Sequence, residues 1–375
     1  MSITLDGTNG ITTPDVDSSG PITGTIGTFS SSVRANSYLD ASGGNSATIN
    51  GIVPTNGAVY YNQDAEPSSP PNGAIWYQPS YDATYIRSNS IWLGLKVSFG
   101  PASDRGIFGG QPYDYISVST LGNASLFNAA SGYTRAGGAS NGTRGLHGGG
   151  YSGGNASVIL YITIATQQDV QIFGNLTVAR NGLVGISNIT RGVFIGGEGS
   201  TVMDYVTIAT TGNATSFGTL AGSRFFIAGL SNATRGVFGG GTTSDTTLEY
   251  ITVATTGSAT SFGTLGIRYG AAGISNTTRG VFGGGITGGS PLATMQYVTI
   301  ATAANATTFG NLTVARNYLA GVQNATRGVF GGGNTGAVSA VMDYITVATT
   351  GNATTFGNLT TARELMAGVS GYIPT

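Results

Sequence analysis

An arginine-headed motif that recurs six times, a fixed spacing inside each recurrence, and two unmatched strands at the ends of the array predict an all-β chain dominated by a six-bladed β-propeller. The motif, Arg-Gly-apolar-aromatic, starts at Arg105, Arg144, Arg191, Arg235, Arg279 and Arg327, with His147 in place of phenylalanine in the second copy. Successive arginines are 39, 47, 44, 44 and 48 residues apart. A period of about 40 to 50 residues holding four strands suits a propeller blade, whereas a β-helix coil repeats far sooner.

In chain order, residues 1–57 are rich in Gly, Ser, Thr and Asn without helical periodicity. So polar a segment cannot bury a core alone. It reads either as a disordered tail or as an extended attachment and oligomerisation segment that orders against sister chains or a larger assembly. Residues 58–96 form a small β-unit. Ala58-Val59-Tyr60-Tyr61 and Ala74-Ile75-Trp76-Tyr77 are strand-like, and Thr84-Tyr85-Ile86-Arg87 with Ser90-Ile91-Trp92-Leu93 reads as a hairpin turning through Ser88-Asn89. Trp76 and Trp92, the two tryptophans of the chain, supply its aromatic core.

Residues 97–375 carry four landmarks per copy. These are the Arg-Gly-Val-Phe-Gly-Gly-Gly strand, a Tyr-apolar-Thr-apolar strand, a Ser-Phe-Gly-Thr-Leu strand, and a small-residue strand such as Ala228-Gly229-Leu230-Ser231. From Tyr115, Tyr161, Tyr205, Tyr250, Tyr297 and Tyr344 to Phe127, Phe173, Phe217, Phe262, Phe309 and Phe356 the step is 12 in all six copies, so that turn has one length. Val206 and Ile208 alternate with Tyr205 and Thr207, as a strand requires. The small-residue strand suits the innermost place, where blades crowd the axis. The first copy opens at Arg105 without such a strand, and the chain reaches Leu365-Met366-Ala367-Gly368-Val369-Ser370 without an Arg-Gly partner. Pairing those leftovers closes a ring and removes two sheet edges.

Phe238-Gly239-Gly240, Tyr250, Phe262 and Arg268 follow one another as in a kelch repeat, and this array resembles the kelch family in all six copies. It differs in placing phenylalanine where kelch repeats usually place tryptophan. The N-terminal part resembles the starts of tailed-phage fibres and other virion structural proteins. That resemblance is carried by Met1-Ser2-Ile3-Thr4-Leu5-Asp6-Gly7-Thr8-Asn9-Gly10-Ile11-Thr12-Thr13-Pro14-Asp15, by Gly24-Thr25-Ile26-Gly27-Thr28-Phe29-Ser30, and by the hairpin from Ala74 to Trp92. It implies attachment to other virion proteins through the N-terminal region, an outward-facing C-terminal part, and a homotrimer.

Composition narrows the function. Only 8% of residues are charged, 63 of 375 are glycine, and the net charge is −1, which disfavours nucleic acid as a partner. With no cysteine there is no disulfide or thiolate metal site. The start shows neither a basic segment nor an apolar run, so no Sec signal is expected, and no stretch has the roughly 20 apolar residues of a membrane helix.

Residues repeated in every blade read as scaffold. Arg105, Arg144, Arg191, Arg235, Arg279 and Arg327, and a second set taken as Arg135, Arg180, Arg224, Arg268, Arg316 and Arg363, use 12 of the 15 basic residues. They are expected to donate to orphan carbonyls at blade junctions. Asn213, Asn232, Asn276, Asn305, Asn324 and Asn352 sit in repeated turns, where asparagine bonds nearby backbone. Asp114, Asp204, Glu249 and Asp343 each precede a strand tyrosine, so no acid/base couple stands out. His147, the single histidine, holds a framework aromatic position. Galactose oxidase, a copper-dependent kelch-like propeller, has a tyrosine, histidine and cysteine ligand set without counterpart here. The expectation is therefore no enzyme, no cofactor and no metal.

Variation is expected on one face. Connections from the second to the third strand differ from blade to blade, and they hold the candidate recognition residues Tyr113, Tyr151, Asn155, Glu198, Asp245, Pro291 and Asn334. The leading expectation is a virion tail fibre or appendage whose propeller binds a host-surface glycan or other receptor. The alternatives are a capsid decoration or tail connecting protein with a purely structural propeller, and a glycan-active enzyme.

Overall fold

Each landmark is a strand in the computed structural model, which describes residues 60–62, 67–68, 74–78, 83–88, 91–95 and 102–374 except 130, 131, 168 and 242–244. The chain divides into two compact units at Val97/Ser98. In the first, Tyr60–Asn62, Ile75–Gln78, Ala83–Ser88 and Ile91–Leu95 form a four-stranded sheet in chain order, its first pair parallel and the others antiparallel. Trp76 is buried and stacks on Tyr85 with centroids 4.9 Å apart. The hairpin strands run to Ser88 and resume at Ile91, one residue later than expected, which keeps a two-residue turn. The segment 1–57 and the Trp92 side chain lie outside the described residues.

The second unit is a six-bladed β-propeller. Blade 1 orders Ala367–Ser370, Arg105–Gly109, Tyr113–Ser117 and Ser125–Asn128 from inner to outer strand, so the last strand of the chain completes the first blade. Its register sets Ala367 opposite Gly109 and Ser370 opposite Gly106. Blades 2 to 6 begin with the inner strands Gly137–Ser140, Val184–Ser187, Ala228–Ser231, Ala272–Ser275 and Ala320–Gln323, and each adds three antiparallel strands outward. Closure by the two ends of the array is as expected from the leftovers.

The core lies between blades. Six apolar clusters fill the six junctions, and the cluster joining blade 6 to blade 1 packs Phe108, Ile116 and Val118 against Val322, Val329 and Phe356. Two glycine positions permit such close stacking. A Cβ on Gly368 of the inner strand would lie 2.1 Å from the Gly321 carbonyl oxygen of the neighbouring blade, and one on Gly357 of an outer strand 2.0 Å from that of Gly122. Backbones meet where side chains would hold them apart.

The six outer-strand phenylalanines, Phe127 to Phe356, are the extra residues of β-bulges: in blade 3, Met203 faces Gly218 while Asp204 faces Ser216, leaving Phe217 unpaired between them. The bulge bends the outer strand and turns Phe217 edge-on to Tyr205, with centroids 6.0 Å apart. Over each tyrosine ring sits the motif arginine, at 4.3 to 4.9 Å from the ring centroid. Five of these arginines then donate to carbonyls of the next blade: Arg105 to Ile164, Arg144 to Ile208 and Ala209, Arg235 to Ala301, Arg279 to Ala348, and Arg327 across the closure to Ser119. Arg191 departs, since its Nη1 finds no partner among the described residues.

The second arginine set donates to carbonyls as expected, Arg180 to Phe194, Arg224 to Thr247 and Arg316 to Gly332, and adds a tie that was not expected. Carboxylates on the next third strand are its chief partners: Arg180 meets Asp204 at 2.9 Å, Arg224 meets Glu249 at 3.0 Å, Arg316 meets Asp343 at 2.6 Å, and Arg363 meets Asp114 at 2.6 Å. Arg268 instead reaches Gln296 and the Gly284 and Thr294 carbonyls, and burial pushes its pKa down to about 10. Burial also lowers the pKa of Arg180 and Arg316, each opposed by its aspartate. Arg135 is not a member. It stands two residues before its inner strand at Gly137, whereas Arg180 stands four before Val184, so the structural equivalent of Arg180 is Tyr133. Leu160 correspondingly holds the acid position in blade 2.

That natural exchange supplies a test. Asp204→Leu leaves a buried guanidinium unpaired and is expected to cost about 3 to 5 kcal/mol. Adding Arg180→Tyr, which copies blade 2, is expected to recover a large part of that loss in a double-mutant cycle read by denaturant melts. Additive losses would contradict the pairing.

Candidate functional site

An antiparallel four-strand blade sends two kinds of connection to each end. One end, the turn face, holds the inner-to-second and third-to-outer turns, and its chemistry is repeated. Asn232 Oδ1 accepts from the backbone N–H groups of Thr234 and Arg235, with Asn276 and Asn324 acting alike. Asn213, Asn305, Asn352 and Asn123 each accept at 3.0 Å from the backbone of the preceding blade's outer strand. These asparagines are turn builders, as their recurrence implied.

The other end, the loop face, holds the second-to-third loops and the links from outer to inner strands. Backbone bonds join the two kinds of segment, for example Gly150 N–H to the Arg180 carbonyl and Glu198 N–H to that of Asn181. Five of the eight exposed large apolar side chains among the described residues are here: Tyr151, Val178, Ile267, Val314 and Val338.

Three of the candidate recognition residues form one patch. Tyr151 bridges to Asn155 along the backbone, and Asn181 Nδ2 donates to both Asn155 Oδ1 and Glu198 Oε2. Tyr151, Asn155 and Glu198 are all exposed. Asn334 bridges to the link residue Asn317, and Pro291 lies in a short ribbon in which Ile286–Thr287 pairs with Ser290–Pro291. The other two are placed otherwise. Tyr113 is 1% exposed and packs on His147, so it is core and its side chain is not on the loop-face surface. Asp245 is partly buried, 3.2 Å from Arg224, and caps the start of its strand through the Thr247 N–H, which makes it scaffold.

At the centre of the loop face is an element that alignment on the arginines had hidden. Arg135, Gly182, Phe226, Gly270, Tyr318 and Leu365 each precede an inner strand by two residues, and all six have φ between +55° and +65°. Their backbones form a closed hydrogen-bonded circle. Gly182 N–H donates to the Arg135 carbonyl, Phe226 to Gly182, Gly270 to Phe226, Tyr318 to Gly270, Leu365 to Tyr318, and Arg135 back to Leu365, at 2.6 to 3.0 Å. Residues of this circle line a shallow depression of about 70 Å³, the axial mouth.

Aromatic rings crowd one side of the mouth. Phe226 lies 3.9 Å from Phe225 and 4.8 Å from Tyr318 between centroids, and Tyr318 is 6.3 Å from Tyr269. The Arg135 guanidinium sits over Tyr151 at 5.1 Å and Phe226 at 5.6 Å. Burial and the charges of Tyr269 and Glu364 raise the Tyr318 hydroxyl pKa, against a lowering by Arg135. Anchoring the copies on the inner strand instead of on arginine would have set Arg135 in register with Phe226 and Tyr318.

Among the described residues no group of three His, Cys, Asp or Glu side chains is placed to hold a metal ion. Asp114, Asp204, Glu249 and Asp343 are buried against arginines, far from forming a free carboxylate couple. Comparison with protein-family models gives no match, and comparison with curated proteins gives none.

His147 stands where five blades have phenylalanine, 4% exposed, with neither ring nitrogen hydrogen-bonded. Burial pushes its pKa down to about 4 from 6.5. The folded state therefore resists a proton that the unfolded chain accepts near pH 6.5, and stability is lost as pH falls from about 6.5 to about 4, by roughly 3 kcal/mol. His147→Phe is expected to raise the melting temperature at pH 7 and to widen its advantage across that window. Parallel pH profiles for the two proteins would contradict it.

Proposed function

We propose that this chain is a virion structural protein of a tailed phage, a tail fibre or related appendage, whose propeller recognises a host-surface glycan through its loop face. The observation that carries the reading is the separation of the two faces. Repeated scaffold chemistry occupies the turn face and the junctions, while blade-to-blade differences, exposed apolar side chains and the aromatic mouth share the loop face. Thr, Asn and Tyr side chains with little charge suit wet contacts to sugars, each weak, which gain strength when several copies engage together.

The resemblance of residues 1–30 and of the 74–92 hairpin to virion proteins supports attachment through the N-terminal region and a homotrimer on the particle. A non-catalytic role is supported by the fate of the acids, since those on the third strands are committed to arginines.

Host cells or their purified surface polysaccharide, probed with the full chain in its native oligomer, are expected to retain it. Tyr151→Ala with Asn155→Ala should reduce retention at least tenfold, and alanine substitutions at the exposed turn-face residues Leu121 and Ile189 should leave it unchanged. Retention lost equally from both faces, or none at all, would overturn the reading. A loop face covered by another subunit in a density map of the particle would favour a capsid decoration or tail connecting protein, and release of sugar fragments would favour an enzyme.

A further inference from the structure

Glycine suffices at the axial circle, as Gly182 and Gly270 demonstrate, yet four blades place large side chains there. Arg135, Phe226, Tyr318 and Leu365 are the only non-glycine residues of positive φ among the described residues, and all four belong to this one circle. Left-handed backbone is costly for such residues, and strain of this kind gathers where a side chain is needed.

Arg135 differs from every other arginine of the propeller except Arg191. Its side chain makes no hydrogen bond or ion pair among the described residues, and its Nε is buried without a partner. Tyr151 and Phe226 lie against the guanidinium, which leaves its N–H edge for a planar acceptor with two oxygens. Glu364, next in the chain to Leu365, has a buried Oε2 that likewise lacks a partner. A ligand suited to this surface brings a carboxylate for Arg135 and an apolar ring face for Phe226 and Tyr318.

We infer that the axial mouth is a subsite for one carboxylate-bearing pyranose of a polysaccharide, a hexuronate or sialate-type unit, with Arg135 pairing its carboxylate and Phe226 and Tyr318 stacking on its ring. This rests on the glycan-recognition reading above and names the sugar class. The depression, about 70 Å³, holds a fraction of the roughly 300 to 1,000 Å³ of a drug-sized pocket. It accommodates part of a single terminal or branch unit, and the rest of the chain runs out over the loops. A peptide fits less well. The six backbone N–H groups and carbonyls of the circle are spent on one another, so no open edge remains for a main chain to pair with.

The test uses the full chain, with saturation-transfer NMR and calorimetric titration. Probes are trisaccharides ending in glucuronate, galacturonate or sialate, their carboxyl-reduced counterparts, and a tetrapeptide with a free C-terminal carboxylate. At least one acidic trisaccharide is expected to bind, and carboxyl reduction, Arg135→Gly and Phe226→Gly each to weaken it at least tenfold. Glycine fits φ of +61° and +58°, so both variants are expected to keep the wild-type melting temperature. Absence of binding to every acidic trisaccharide, unchanged affinity in Arg135→Gly, or tighter binding of the tetrapeptide would overturn the subsite. Host-surface retention that survives in Arg135→Gly alongside absent uronate binding would overturn it while leaving the broader loop-face reading in place.

Discussion

Six backbone hydrogen bonds, passed from blade to blade around the axis and returning from Arg135 to Leu365, impose the geometry from which the rest of the propeller follows. A circle of this kind closes only if every blade presents the same left-handed residue at the same radius. That requirement brings the inner strands together so tightly that Gly368 faces the Gly321 carbonyl. One position of each inner strand is held to glycine near the axis, and apolar side chains, those of the inner-strand residues Ile186, Leu230, Ile274 and Val322 among them, fill the wedges between blades. Buried ion pairs such as Arg180–Asp204 and the arginine–tyrosine–phenylalanine stacks lock each wedge from the periphery. Such ion pairs add less net stability than their gross attraction suggests, and their better-attested contribution is to penalise wrong arrangements.

This construction leaves the two faces with different freedoms. Turns on the turn face build the junctions, because Asn213 and its equivalents bond the neighbouring blade directly and cannot change without loosening it. Loops on the other face leave and rejoin the sheets at fixed points, so their middles can vary in length, as the ribbon around Ser290 shows. The first junction is the exception that illustrates the rule. Where other outer strands place glycine against the next turn, blade 1 has Asn128, and its Nδ2 donates to Asp169 at 3.2 Å. A side-chain contact replaces a backbone approach at that single position.

Architecture was legible because repetition supplies its own control. The constant step from Tyr205 to Phe217 and its equivalents marks one turn geometry, and the unmatched ends near Arg105 and Leu365 disclose closure. The site was legible only in outline. Tyr113 looked like a loop residue by its position after Gln111-Pro112, but its strand begins there and turns it inward onto His147. Asp245 looked like a loop acid, although a second carboxylate beside Glu249 lets it share Arg224. Arg135 was concealed by its residue type. Grouped with scaffold arginines, it passed for one more junction donor, and only its two-residue distance from Gly137 placed it at the mouth. Side-chain identity is a poor anchor for repeat alignment when one blade has shifted its chemistry, whereas strand position is set by backbone geometry and does not shift.

Amide hydrogen exchange at the six circle positions measures the closed circle most directly. Links between outer and inner strands are irregular backbone and would exchange within seconds if merely exposed, whereas N–H groups tied into a closed circle open only with the propeller itself. The amides of Arg135, Gly182, Phe226, Gly270, Tyr318 and Leu365 are expected to share the slow exchange of the inner strands and to open together. Fast exchange at Arg135 and Leu365, with the other four protected, would contradict a closed circle and with it the origin of the axial mouth.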